Sequence, residues 1–159
     1  MKRQVQKILI TGMPYSGKTY LSEFFKKAGI NAVDADSIKK LGKWFDKHGK
    51  ETKFDKNADD MWLKNHDFLW DKNFLRLWLK KQKLTAYLFG ISANIFDMAY
   101  LFDKSYYLRM TPKILKKRLA ENERLNPMGH TRTQQELILK NIEDFNKKAE
   151  KYGLIPVDA

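Results

Sequence analysis

Residues Gly12 to Thr19 read GMPYSGKT, which matches Gly-x-x-x-x-Gly-Lys-Ser/Thr in full. An apolar run of strand character, Val5–Thr11, comes before it. After it, Ser16–Lys27 puts Tyr20, Leu21, Phe24 and Phe25 on one helical face. A strand passing through a glycine-bounded loop into a helix is the context that turns this short pattern into a phosphate-binding loop. The glycines let the main chain wrap an anion with successive N–H groups pointing inward, and the helix adds the positive end of its dipole. Lys18 is expected to reach the outer phosphates and the Thr19 hydroxyl to ligate Mg²⁺. Gly12, Tyr15, Ser16, Gly17, Lys18, Thr19 and Tyr20 are therefore the expected nucleotide-binding residues, with Tyr15 at the loop tip leaning toward a base or a lid.

The pattern beyond the loop alternates strands and helices. Ile30–Asp36 (INAVDAD) reads as a second strand, Leu84–Ser92 (LTAYLFGIS) as a third and Lys104–Met110 (KSYYLRM) as a fourth. The third is apolar nearly throughout, as a buried parallel strand should be. Leu154–Asp158 (LIPVD) is the fifth, weakened by its proline. From Asn57 to Lys83 the spacing predicts aromatic-rich helices capped by Asn57 and Asp71. Thr111-Pro112 opens a helix over Lys113–Glu123, and Thr133–Tyr152 forms another with the stripe Leu137, Ile138, Ile142, Phe145 and Ala149. Lys43–Phe54 (KWFDKHGKETKF) reads as a hairpin-like excursion turning at His48-Gly49. Such alternation predicts an α/β sandwich around a parallel sheet.

Length and composition narrow the class. The 159 residues fit a single domain with a proper core, and no apolar run approaches a membrane span. The apolar part of MKRQVQKILITG is too short for a signal peptide, and the chain has no cysteine for disulfides or thiolate metal sites. A cytoplasmic protein is expected. The net charge of +12 favours polyanionic partners, but lysine supplies 25 of the 31 basic residues and mostly as pairs on helix faces. That distribution describes a solvated surface better than a nucleic-acid site, where arginine would do the bidentate reading.

Three further segments carry candidate chemistry. Asp34 and Asp36 end the second strand, where ligands of open parallel sheets collect. One carboxylate of such a pair can face the Mg²⁺ and phosphate, and the other an acceptor hydroxyl; Asp36 could instead simply cap the following SIKKLG segment. After the third strand, FGISANIFD has no aspartate directly at the strand end, so Ser92 or Asn94 could act there, or serve as turn and cap beside Gly90. Arg118, Arg124 and Arg132 flank a loop-like stretch containing Pro127 and Gly129, from which an arginine could stabilise a transferring phosphoryl group. Trp44, Phe45, Trp62 and Trp70 could stack on a planar acceptor, though helical spacing also describes core, and His48 and His66 read as surface residues.

With ITGMPYSGKT, VDAD, YYLRMTPKILKKRL and NPMGHT in this order, the chain resembles the P-loop small-molecule kinases, such as nucleoside-monophosphate kinases, shikimate kinase and gluconate kinase. The segments WLKNHDFLWD and FGISANIFDMAYLFDKSYYL look more narrowly like bacterial proteins labelled AAA-type ATPases or putative kinases. The resemblance implies a three-layer α/β/α fold with a five-stranded parallel sheet in the order 2-3-1-4-5. It implies an acceptor-binding insert over about 39–83 and a short lid over about 121–132. It further implies transfer of the ATP γ-phosphoryl to a small acceptor (a nucleoside, nucleotide or shikimate-like hydroxyl compound) by a monomer or homodimer. Lys18, Asp34, Asp36, Arg118 and Arg124 would be catalytic, with Thr19 and Asp36 holding Mg²⁺. Asn122 stands where that family tends to carry another arginine, and the family usually continues beyond PVDA through an adenine-contacting loop into one more helix, so that either the base site is open here or the sequence is trimmed. A polynucleotide 5′-hydroxyl kinase and a non-kinase nucleotide-binding ATPase or switch are the alternative expectations.

Overall fold

The computed structural model describes residues 3–121 and 131–159. In chain order its elements are β1 (Lys7–Thr11), α1 (Lys18–Lys27), β2 (Ala32–Asp34), β3 (Gly42–Asp46), β4 (Glu51–Thr52), α2 (Asp60–Lys64), β5 (His66–Trp70), α3 (Lys72–Lys80), β6 (Ala86–Phe89), α4 (Ile95–Met98), β7 (Lys104–Arg109), α5 (Pro112–Ala120), α6 (Arg132–Lys151) and β8 (Ile155–Asp158). One-turn 3₁₀ segments follow β2 and α4.

Side chains along β1 alternate between two cores. Leu9 is buried among Leu88, Tyr107, Leu75, Leu79 and Phe145, while Ile8 and Ile10 pack with Phe89 and Leu108 on the other face. A strand apolar on both faces belongs in the middle of a parallel sheet covered by helices. Accordingly β1 pairs in parallel with β6 on one side and β7 on the other, and the full order is β2-β6-β1-β7-β8. Renumbered over these five strands, that is the expected 2-3-1-4-5 sheet. Helix α1 covers the Ile8/Ile10 face through Leu21 and Phe25, whose ring meets Tyr87 and Phe89 edge-on at 5.1 and 5.6 Å. Helices α3 and α6 cover the Leu9 face.

The insert differs from its sequence reading. In place of continuous helices, β4-β3-β5 form a second, antiparallel sheet. Trp44 lies opposite both Thr52 and Phe68, and Gly42 opposite Trp70. The stretch HDFLW has helical spacing in the chain, but its aromatic and branched residues also suit a strand, and pairing with β3 decides the matter. Helix α2 is a single short turn capped by Asp59, which accepts from the Trp62 N–H, so Asn57 is not the cap. Asp71 does cap α3, accepting from the Phe74 N–H at 2.8 Å. The predicted hairpin turn is also present, with the Asp46 carboxylate accepting from the His48 and Lys50 amides and Gly49 at a φ of 77°.

The exposed face of α1 is a second correction. Tyr20 and Phe24 are 64% and 58% exposed. The helix contacts the sheet through Leu21 and Phe25 with Ser22 buried between them, a narrower stripe than the four-residue apolar face the sequence offers.

Candidate active site

At the carboxyl end of β1 the chain turns through the phosphate-binding pattern. Gly12 is required by close approach: a Cβ there would lie 2.5 Å from Ser16 Oγ and 3.2 Å from Leu108 Cβ. Tyr15 has a φ of 67° and Gly17 a φ of 97°, so two of the eight positions take the left-handed conformation that curls the loop. The Ser16 amide closes it on the Met13 carbonyl at 3.1 Å. Gly17 is the N-cap of α1 and has no side chain to occupy the first-turn amides, nor does that turn hold an acidic residue. An anion is the natural partner for such an end.

Lys18 folds back over the loop, donating to the Gly12 and Met13 carbonyls at 2.6 and 3.0 Å. Although half-buried as a residue, its ammonium is stripped of water, which lowers its pKa to about 8 against the opposing pull of Asp36 and Asp34. The lysine is thus held in a place where negative charge would stabilise it. Across the cleft, Asp34 caps the 3₁₀ turn Ala35–Ser37, accepting from the Asp36 amide at 3.0 Å. The capping role considered for Asp36 therefore belongs to Asp34. Asp36 is exposed over the residue as a whole, but crowding around its carboxyl raises its pKa, first by loss of water and then by the neighbouring Asp34 charge, with Lys18 opposing.

These groups share one cavity of about 1290 Å³. Tyr15, Gly17, Lys18, Thr19, Tyr20, Asp34, Asp36 and Arg118 all line it, whereas Gly12 and Ser16 shape the loop from behind. Arg118 arrives from α5, where Thr111 caps the helix and Pro112 opens it, and its Nη1 donates to the Tyr15 carbonyl at 2.8 Å. The Tyr15 ring packs toward Met110, Leu115, Ile138 and Ile142, beneath α5 and α6. Arg132 is not brought in; it is an exposed i,i+4 partner of Glu136 at 2.9 Å. Arg124 and most of the expected lid lie outside the described residues.

Loss of a strand-end aspartate after β6 is matched by a structural role for its neighbours. Asn94 accepts from the Trp70 amide and donates to the Trp70 carbonyl, both at 3.0 Å, and Ser92 donates to Asn94 at 2.9 Å. This clip fastens the second sheet to the end of β6. Gly90 serves close packing there, since a Cβ would meet both Ala35 and Trp70 at 2.6 Å. Asp97 is exposed and does not line the cavity.

The far wall comes from the second sheet and α6. Trp44 stacks on Phe54 at 5.1 Å and 22°, lies 5.6 Å from Phe68, and each of the three lines the cavity half-buried. Trp62 and Trp70 do not line it. His66 is not a plain surface residue: it stacks on Trp62 at 3.9 Å and 7°, with Nδ1 2.6 Å from the Trp62 carbonyl, and it lines the cavity. Sequence reasoning missed Asp67, Glu121 and the row Asn141, Asp144 and Lys148 on α6, and placed Leu137 in the core stripe although it lines the cavity. That row has helical spacing beside the buried stripe, so a polar-tipped face was legible, but not what it faced. Gln134, fully buried, ties α6 to the insert by donating to the Lys56 and Ala58 carbonyls at 3.2 and 3.3 Å.

A parallel sheet in this order, with a curled glycine-bounded loop after its central strand, defines a P-loop domain. The AAA domain family model AAA_18 matches residues 8–138, and the chain belongs to that family. Among solved structures, it is similar in fold to a gluconokinase from Sinorhizobium meliloti 1021, at 12% identity over 99% of this chain and 84% of that one, with a TM-score of 0.52. A deoxyadenosine kinase from M. mycoides with bound dATP matches at 16% identity over 96% and 90% of the two chains, with a TM-score of 0.48. No curated protein sequence matches. Among the described residues, no helix is long and apolar enough to cross a membrane.

Proposed function

We propose that the protein is an ATP-dependent phosphotransferase that moves the γ-phosphoryl group to a hydroxyl of a small acceptor. The observation that carries this reading is continuity: the phosphate loop, Arg118 and the Asp34/Asp36 pair line one cavity that runs on to an aromatic wall. A site for hydrolysis alone has no need of that second half.

In the proposed reaction, the acceptor oxygen bonds to the γ-phosphorus as the bond to the β–γ bridging oxygen breaks, and the hydroxyl proton leaves to a carboxylate. The loop amides and Lys18 bind the phosphates. Arg118 neutralises charge spreading over the transferred group, where a preset donor contributes most. Asp34 has one oxygen committed to its cap, which leaves the other to orient the acceptor hydroxyl. Asp36, with its raised pKa, is the better proton acceptor when ionised.

The donor set fits Mg²⁺. Among the described residues no cluster of three or more His, Asp or Glu side chains could hold a metal alone. Thr19 offers a hard oxygen ligand on the cavity wall, and Asp36 would meet the ion through one of its waters so that its carboxylate stays free to take the proton, which suits an ion that binds through few protein groups together with substrate phosphates. Bound there, Mg²⁺ would neutralise charge on the phosphates.

ADP release is the deciding measurement. The reading expects acceptor-dependent ADP release that Lys18→Ala abolishes. Slow hydrolysis indifferent to every acceptor would support a nucleotide switch in its place. The small-acceptor reading also expects no salt-steep oligonucleotide binding, which a polynucleotide kinase would display.

A further inference from the structure

The cavity reverses the charge balance of the chain. Overall, bases outnumber acids 31 to 19. Among the described residues, the cavity wall carries five carboxylates and three cations. Two of those cations are already engaged at the loop, Lys18 on the Gly12 and Met13 carbonyls and Arg118 on the Tyr15 carbonyl. The third, Lys148, stands four residues from Asp144 on α6. Besides Glu121 at the end of α5 and Asp144 on α6, the carboxylates are Asp34 and Asp36, which also face Lys18, and, on β5, Asp67 next to Phe68 of the aromatic wall.

The aromatic surface beside them is built, not incidental. The β3–β5 register sets Trp44 directly across from Phe68, and Phe54 stacks on Trp44 from the other side. All three stay half-buried while the nearby Trp70 is 3% exposed, so the packing that consumes Trp70 leaves these rings available to the cavity. Aromatic rings lining a cavity favour flat or ring-shaped ligands, and carboxylates beside them accept from hydroxyl and amino donors. An anionic ligand entering here meets like charge where water is partly excluded, and repulsion of that kind is an efficient source of selectivity.

We infer that the acceptor is an uncharged or cationic hydroxyl compound with a ring face, and that phosphorylated and carboxylated acceptors are rejected. This rests on the phosphotransferase reading and deepens it. Nucleosides and amino sugars share the chemistry, whereas nucleoside monophosphates, sugar acids and polynucleotide 5′ ends do not.

Matched pairs test it: thymidine against thymidine 5′-monophosphate, and glucosamine against glucuronate. Binding is read from tryptophan fluorescence and transfer from ADP release with ATP and Mg²⁺. In at least one pair the non-anionic member is expected to bind about tenfold or more tighter, and the responding pair identifies nucleoside or amino sugar. Asp67→Lys is expected to reverse that preference with ATP affinity unchanged; Asp67→Asn, the milder change at this exposed position, is expected to weaken it. Equal or tighter binding of the anionic members, no binding by any of the four, or a preference untouched by both variants overturns the inference. Selective binding without ADP release would keep the ligand class and remove the transfer reading. ADP release driven by the monophosphate would keep transfer and overturn this inference.

Discussion

Arg118 Nη1 donates to the Tyr15 carbonyl at 2.8 Å, joining two residues 103 positions apart and fastening α5 to the tip of the phosphate loop. The same carbonyl belongs to a tyrosine held at a φ of 67°. The arginine therefore supports a conformation that a side chain other than glycine rarely adopts.

Arg118→Ala should lower kcat/KM by about 10²–10³-fold, the usual cost of one preset donor at a transition state. Its half-exposed hydrogen bond contributes only about 1 kcal/mol to folding, so thermal unfolding should shift little. Steady-state kinetics and a thermal melt on one preparation check both halves.

The pH profile of kcat/KM should be bell-shaped, because that quantity reports groups in the free enzyme. Lys18 has a pKa lowered to about 8, so the protonated form that binds phosphate is lost as pH rises through that value. On the acid side, Asp36 must be ionised, and its raised pKa moves the rise above the ordinary aspartate value. Asp36→Asn should remove the acid limb and move the alkaline one to lower pH, because the Asp36 charge helps hold the Lys18 proton.

Asp34→Ala and Asp36→Ala should separate stability from chemistry. Asp34 caps the turn after β2 through the Asp36 amide, so its loss should cost about 0.5–2 kcal/mol of stability as well as activity. Asp36 accepts no such bond among those described, and its variant should melt near the parent while turnover falls. Chemical denaturation alongside ADP release distinguishes them.

Gly12→Ala should abolish triphosphate binding in a protein that still folds. The added methyl falls 2.5 Å from Ser16 Oγ and 3.2 Å from Leu108 Cβ, so Ser16 must turn and the loop shift to admit it, which displaces the amides that face a phosphate. Isothermal titration with a non-hydrolysable triphosphate, next to a far-UV spectrum, reads the result.

Asn94→Ala should leave the Trp70 amide and carbonyl without their partners, at a cost of about 1–3 kcal/mol. For a chain of this size each kcal/mol lowers Tm by about 2–4 °C. Because the clip holds the second sheet against β6, acceptor KM should rise more than ATP KM.

Which features were legible follows from how far apart in the chain their causes lie. The phosphate loop is eight consecutive residues between two periodic segments, and the caps Asp71 and Thr111 each sit three residues from the amide they accept. The central strand declares itself by being apolar on both faces. By contrast, HDFLW reads as helix until β3 pairs with it, and the Tyr20/Phe24 face of α1 reads as core until the sheet is seen to take only Leu21 and Phe25. Asp67 is a single polar residue on a short strand, with no local mark of function.

Sequence by itself therefore determined where the five strands of the sheet lie along the chain and that a phosphate-loop pattern follows the first, because glycine conformation, helix capping and hydrophobic period act within a few residues; the order of the strands was implied only by the family resemblance. Tertiary structure alone decided what stands opposite that loop. Arg118 reaches Tyr15 across the fold, Gln134 draws the insert onto α6, and the β3–β5 register turns Trp44 and Phe68 toward one cavity. Those contacts join distant segments, and their partners are chosen only when the chain packs.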